Sequence, residues 1–368
     1  MIVALLILGG CTSAGYYAQS IGGHLDLMAK RQDVSTLVAD ESTPPALKQK
    51  LERADAIREF ASAELALPDN GSYRSYVDVG KPYVTWNVVA APALSLKPKT
   101  WCFPVVGCVA YRGYFDEAEA YAYGDELAAE NMDVVVAGAR AYSTLGWFDD
   151  PILNTILFDA EYRFAGTLFH ELAHGRVFIA GDSSFNESYA VTVEREGVRR
   201  WLARNSTPGM QRAYDKERAR REDFLALVLA TREELAALYG SSMDDAEKLR
   251  EKDRIFDALR AGHARLKTSW DGYSGYDSWF AKNLNNAKLA LLATYNVHVP
   301  AFERLLVEQQ GDMTKFHAAV ETLSKLTNEE RDAELARLAA ESTRLDAQDA
   351  WRGLGTGSQI SASSSKAG

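Results

Sequence analysis

Residues 159 to 174 carry apolar side chains at helical spacing and stop at Gly175, so Phe169-His170-Glu171-Leu172-Ala173-His174 closes a helix. The four-residue interval puts His170 and His174 on one face, one turn apart. Two imidazoles so placed can chelate a single zinc ion, with Glu171 beside them to polarise a water molecule. The chain holds 6 histidines in 368 residues, so accidental matches to His-Glu-x-x-His are expected on the order of 0.01 times. A catalytic zinc takes three protein ligands and leaves a fourth position open for water. The fold must therefore bring one more ligand to this helix.

Downstream, Phe185-Asn186-Glu187-Ser188-Tyr189-Ala190 opens a second helical pattern that runs through Trp201. Its Asn-Glu-x-x-Ala arrangement resembles the third-ligand helix of the gluzincin metallopeptidases, in which a glutamate completes a His-His-Glu site. That resemblance implies Glu187. The connection from His174, residues 175 to 186, is shorter than is usual in thermolysin-like relatives. Glu194 sits nearer the usual spacing, but it lies two helical turns, ~10 Å, beyond Glu187, so the two cannot ligate one ion. Glu194 then has two candidate roles, an outer contact to the site or capture of a substrate amine. Asp182 and Asn186 are candidates either to orient a ligand imidazole or to cap the helix.

The rest of the chain reads as an α+β protein. A helix is expected over 46 to 67, strands over 76 to 79 and 83 to 89, and a further strand over 109 to 115. A helix over 116 to 131 and a strand over 133 to 138 follow. Beyond Pro151 the pattern is helical: 210 to 239 and 243 to 268 form a hairpin around Gly240, and helices are expected at about 284 to 308 and 312 to 350. The Gly/Ser-rich residues 353 to 368 read as a disordered tail. Residues 11 to 352 are expected to form one catalytic unit, a mixed part to about 150 followed by a helical part. Lys and Arg total 41 against 51 Asp and Glu, a net charge of −10 without a sustained basic run, which argues against nucleic acid as a partner.

The first ten residues carry no charge and end at Leu8-Gly9-Gly10-Cys11. The run is about half the length needed to span a bilayer and reads as a secretory signal. Its end resembles a bacterial lipobox, which implies lipidation of Cys11, a lipid anchor in the membrane and, with Thr12 following, the outer membrane facing the periplasm. No Lys or Arg precedes the apolar run. Export places Cys102 and Cys108 in an oxidising compartment, where Pro104 and Gly107 supply turn chemistry for a bridge between them; two buried free thiols are the alternative.

Several blocks together resemble a family of bacterial zinc aminopeptidases predicted to be lipoproteins. They are the Cys11 segment, Trp101-Cys102-Phe103-Pro104 through Cys108 with Tyr111-Arg112-Gly113-Tyr114-Phe115, and Ala141-Tyr142-Ser143-Thr144-Leu145-Gly146-Trp147-Phe148-Asp149-Asp150-Pro151. The likeness continues through His170 to His174, Gly181-Asp182, Phe185 to Ser188, Arg195 to Trp201, and Asn285 to Leu289 with Tyr295 and Pro300. It implies a zincin-like fold with a small N-terminal sheet and a mostly helical C-terminal part. It also implies peptide hydrolysis by zinc-activated water, with His170, His174 and Glu187 as ligands and Glu171 as general base. In such folds a strand near the metal helix pairs with extended substrate, a role that falls on residues such as Tyr142, Thr144 and Gly146, while Trp147 and Phe148 line an apolar pocket or pack as core aromatics. Gluzincins often stabilise the oxyanion with a Tyr or His, for which Tyr295 leads His298 and Tyr276. An envelope endopeptidase uses the same ligands, and a non-catalytic envelope assembly or chaperone lipoprotein with a retained metal site is the reading from another class.

Overall fold

In a computed structural model the described residues are 5–103, 107–281 and 284–355. Helices and short strands interleave at first: α1 (Leu5–Ala29), β1 (Gln32–Asp33), α2 (Val34–Ala39), α3 (Pro45–Leu65), β2 (Ser75–Val77), β3 (Thr85–Pro92), β4 (Trp101–Phe103), β5 (Gly107–Val109), β6 (Arg112–Tyr114), α4 (Glu117–Ala129), β7 (Met132–Ala139) and β8 (Ile152–Leu153). Helices follow: α5 (Asn154–Leu157), α6 (Glu161–His174), α7 (Ser183–Asn205), α8 (Pro208–Tyr239), α9 (Asp245–Ser269), α10 (Asp277–Ala281), α11 (Asn286–Asn296), α12 (Val299–Glu308), α13 (Met313–Leu323) and α14 (Asn328–Gly355). The architecture is α+β with small sheets. Among the described residues, no helix is long and apolar enough to cross a membrane.

The β-branched run of β3 is the hub of an antiparallel sheet ordered β6-β3-β7, with Trp86 opposite Tyr114 on one side and Gly138 on the other. Successive β3 side chains point to opposite faces, and both faces are covered. Val88 and Ala90 pack with Ala120 and Leu127 of α4, while Val89 and Ala91 meet Ala287 of α11. A second small sheet, β1-β2-β8, joins the main core with α3, α6, α7, α12 and α13. The α8–α9 hairpin closes over its own cluster around Phe224, Leu235 and Phe256.

Two glycines set how closely the motif helix and the next helix cross. A Cβ on Gly197 of α7 would fall 2.5 Å from the Phe169 ring and 2.7 Å from Leu65, and one on Gly166 of α6 would meet Glu194 and Val198 at 3.2 Å. Any larger residue at Gly197 would overpack this core. The crossing is what delivers α7 carboxylates to the α6 histidines.

A buried histidine ties the core together. His317, fully buried on α13, donates from Nε2 to the Leu65 carbonyl at 2.8 Å, which leaves Nδ1 to accept from the Tyr189 hydroxyl at 2.8 Å. Burial, only partly opposed by the Leu65 carbonyl, lowers its pKa to about 4. The folded state therefore holds the neutral ring, whereas the unfolded chain takes up a proton near pH 6.5. Stability is full above pH 6.5 and is lost as pH falls toward 4, by up to about 3 kcal/mol from this group. Unfolding midpoints followed between pH 7 and 4.5 should show this slope, and His317→Gln should flatten it.

Several expected elements differ. The 284 to 308 helix is two: Pro300 lacks an N–H and would clash with a carbonyl one turn back, so α11 ends at Asn296 and α12 restarts with proline in its first turn. The 312 to 350 helix is also two. Thr327 and Glu330 exchange side-chain-to-backbone bonds, Glu330 N to Thr327 Oγ1 at 3.3 Å and Thr327 N to Glu330 Oε2 at 3.0 Å, which starts α14 afresh. The 109 to 115 strand is divided between the β4-β5 hairpin and the sheet edge β6. Residues 142 to 147, expected to serve as the strand that pairs with substrate, form a turn instead, with Leu145 at φ 57° and Gly146 at φ 82°. The first four residues and the Cys11 side chain lie outside the described residues; the backbone from Leu5 opens α1. Of the expected tail, residues 353 to 355 end α14 and the remainder lies outside the described residues.

Candidate metal centre

The last turn of α6 carries His170 and His174, both buried, and the second turn of α7 carries Glu187. The short connection between them is held by α7 itself. Asn186 bonds Ile179 twice, Nδ2 to the carbonyl at 2.8 Å and Oδ1 from the amide at 2.8 Å. Asp182 caps α7 by accepting from Phe185 N at 3.0 Å, and the Arg331 guanidinium secures it from α14 at 2.7 Å. Both residues thus shape the connection, and neither touches a ligand imidazole.

From the far side, the β4-β5 hairpin supports the same connection. Cys102 and Cys108 stand directly opposite and are joined by a disulfide. Gly107, at φ 74°, rests backbone to backbone on Gly181, at φ 86°; a Cβ on Gly107 would lie 2.7 Å from Gly181 N. Only glycine allows that approach at positive φ.

His170 Nε2 lies 3.1 Å and His174 Nε2 lies 3.6 Å from Glu187 Oε2, and the three ligand atoms all fall within 4.8 Å of one another. A tetrahedral zinc with bonds of about 2.0–2.2 Å separates its ligand atoms by about 3.3–3.6 Å, close to the 3.1 Å and 3.6 Å separations from Glu187, and two imidazoles with a carboxylate are donors that suit that ion. The His174 Nδ1 and His170 Nδ1 atoms are buried without a formed hydrogen bond. Glu194 Oε2 approaches His170 Nδ1 to 3.3 Å, in ion-pair range, and Arg221 holds the other Glu194 oxygen at 3.4 Å.

Burial acts on each of these groups, and the neighbours decide the direction. Burial would lower the His170 pKa, but the Glu187 and Glu194 carboxylates raise it well above the usual value. Burial would raise the Glu187 carboxyl, yet His174 and His170 hold it at about 2. Glu194 is likewise held at about 2 against burial, by His170 and Arg221. The carboxylates that favour a proton on His170 would equally favour a cation between the rings. Glu171 goes the other way: burial and Glu187 raise its pKa although both histidines oppose them. That makes it a better base than an exposed carboxylate.

The group opens into a cavity of about 470 Å³ that Glu171, Tyr111, Tyr142 and Tyr295 also line. Tyr295 of α11 stacks on His170 with ring centroids 6.1 Å apart and planes at 23°. Glu187 and burial raise its pKa well above the usual value; burial, then Glu187 and Glu171, raise that of Tyr111. Both phenols therefore keep their protons and can donate. Tyr111 has no chemical role legible from its own segment, since nothing local links the β5–β6 connection to α6.

The remaining expected residues sit as follows. Tyr142 lines the cavity, as do Ser143 and Leu145, whereas Thr144, Gly146 and Trp147 do not. Thr144 is turned inward to Asp150, its amide at 2.8 Å and its hydroxyl at 2.9 Å from the carboxylate, which burial raises to about 6. Trp147 and Phe148 are exposed, 67% and 56%, and so form neither the expected pocket wall nor core. Glu194 stands behind His170, away from the cavity, in the position of an outer contact rather than of an amine receptor. Tyr276 stacks on Phe224 in the α8–α9 cluster, and His298 lies outside the cavity lining.

A family profile described as "putative aminopeptidase" matches residues 15–335, from α1 into α14 and across the whole candidate centre. The chain belongs to that family. The family name supports a peptidase, and the match takes in the cavity, the disulfide hairpin and both helices of the candidate centre. Neither the curated proteins nor the solved structures yield a match.

Proposed function

We propose that the chain is a zincin-like zinc metallopeptidase that removes residues from peptide N-termini. The observation that carries this reading is the convergence of His170, His174 and Glu187 within 4.8 Å beside the half-buried Glu171 in one cavity. When bound, zinc supplies a Lewis acid for the scissile carbonyl and lowers the pKa of the attacking water toward ~7.

This chain's residues do the rest. His170 and His174 present Nε2 to the site, and Glu194 behind Nδ1 fixes the His170 ring. The Glu171 carboxylate accepts a proton from the attacking water and passes it to the leaving amine nitrogen. The Tyr295 hydroxyl, kept protonated, donates to the oxygen on which negative charge develops. On this reading Tyr295→Phe lowers kcat about 100-fold with KM little changed, measured by steady-state hydrolysis; an equal rate would move the donor to Tyr111.

One observation favours an endopeptidase as the second reading: among the described cavity-lining residues the only carboxylates are Glu171 and Glu187, which leaves none free to receive an α-amine. The deciding experiment measures zinc stoichiometry and the hydrolysis of matched peptides with free and acetylated N-termini. One zinc per chain, loss of turnover on chelation and preference for the free amine support the aminopeptidase. Preference for acetylated peptides turns the assignment to an endopeptidase, and no turnover by zinc-loaded protein refutes both. We place the protein in the bacterial envelope, anchored through a lipid on Cys11, a reading supported by the lipobox-like segment and by the Cys102–Cys108 disulfide.

A further inference from the structure

The helix nearest the N-terminus enters the same cavity. Tyr16 and Ser20 of α1 line it together with His170, Glu171 and Glu187. Independent contacts fix α1 in that position. Tyr16 stacks on Phe103 with centroids 5.7 Å apart and meets Tyr114 edge-on at 5.4 Å. The Arg112 guanidinium lies 4.0 Å from the Tyr16 ring and 4.4 Å from that of Tyr123. Gln19 Oε1 accepts from Phe115 N at 3.0 Å, and His24 Nδ1 stands 3.1 Å from the Tyr142 hydroxyl. At Gly23 a Cβ would sit 2.2 Å from the Phe115 ring, so glycine permits the close approach of helix to sheet edge.

The chemistry of this end of the cavity is uncharged. Tyr16, Phe103, Phe115 and Tyr142 supply aromatic surface, and Ser20 is the small residue among them. Among the described lining residues there is no Lys or Arg, and the carboxylates are those of the metal centre. Two cations stand next to the lining without belonging to it: the Arg112 guanidinium lies against the Tyr16 and Tyr123 rings, and Lys81 donates to the Phe115 carbonyl at 2.9 Å. A charged side chain entering at this end would lose water against aromatic rings, with the carboxylates of the described lining committed to the metal centre, whereas a large apolar one would gain aromatic contact. A volume of about 470 Å³ is in the range that holds a small ligand.

We infer that α1 is one wall of a subsite for a bulky uncharged side chain, aromatic or large aliphatic, of the peptide, and that Tyr16 and Ser20 set this preference. The inference rests on the peptidase reading for the word peptide, but binding tests it without turnover. Affinities of N-acetyl-phenylalanine amide and N-acetyl-lysine amide are measured by calorimetry on the zinc-loaded full chain. The phenylalanine probe should bind at least ten-fold tighter. Ser20→Asp, which puts a carboxylate into the wall, should reduce that ratio at least ten-fold while zinc content stays the same. Ser20→Phe, which fills the space instead of charging it, should weaken the phenylalanine probe and spare N-acetyl-alanine amide, so the test survives if either variant is unstable. Equal affinities in the unaltered protein, binding of neither probe, or a ratio that both folded variants leave unchanged overturns the subsite. Preference in binding without peptide hydrolysis would instead overturn the peptidase reading and leave the subsite standing.

Discussion

Glu171→Gln is expected to keep the fold and the zinc and to lose peptide hydrolysis by about 10³-fold or more. The amide has the shape of the carboxylate but cannot take up a proton, and general base catalysis contributes 10²–10⁴-fold. Glu171 faces the cavity beside the donor group but is not one of its three atoms, so metal content should not change. Burial already penalises its charge, so the neutral side chain should not lower stability. The checks are kcat/KM on a peptide, zinc per chain and the unfolding midpoint. Turnover equal to that of the unaltered protein would sink the catalytic assignment and leave a structural metal site.

The second large effect separates two glutamates on one helix. Glu187→Ala removes the carboxylate oxygen that lies 3.1 Å and 3.6 Å from the two Nε2 atoms, and zinc affinity should fall by several orders of magnitude. Glu194→Ala removes a contact on the opposite ring nitrogen of His170, for which a loss of about 10–100-fold is expected. Competition with a zinc chelator measures both. A larger loss at Glu194 would exchange the roles of the two residues.

The part of the site that could be read in the sequence is the part that is local. Helical period and imidazole chemistry within six residues identify His170, Glu171 and His174. What escaped depends on contacts across the chain. Nothing near Tyr111, Tyr16 or Ser20 says that β5–β6 and α1 come to α6, because the sheet edge and the α1 docking contacts decide it. Other misses had a signal that was outweighed. The aromatic run 141 to 148 has the composition of a strand, but Thr144 bonds Asp150 locally and Gly146 takes a positive φ, so a turn wins. Pro300 and the Thr327–Glu330 pair were visible breakpoints inside patterns whose helical period continues on both sides of them. Asp182 and Asn186 show the same competition between chemistry and architecture: residues placed next to a ligand are used to make a short connection hold its shape.

The glycine contact behind that connection bears on which substitutions the protein can tolerate. Gly107 and Gly181 meet with no side chain between them, so a larger residue at Gly107 must push the hairpin and the connection apart. Positions separated by 74 residues (181 − 107) then behave, in mutational terms, as one. On the proposed reading, Gly107→Ala is expected to lower metal affinity in a chelator competition although Gly107 is not among the three donor residues, and compensation should come from the facing loop rather than from the neighbours of Gly107 in sequence.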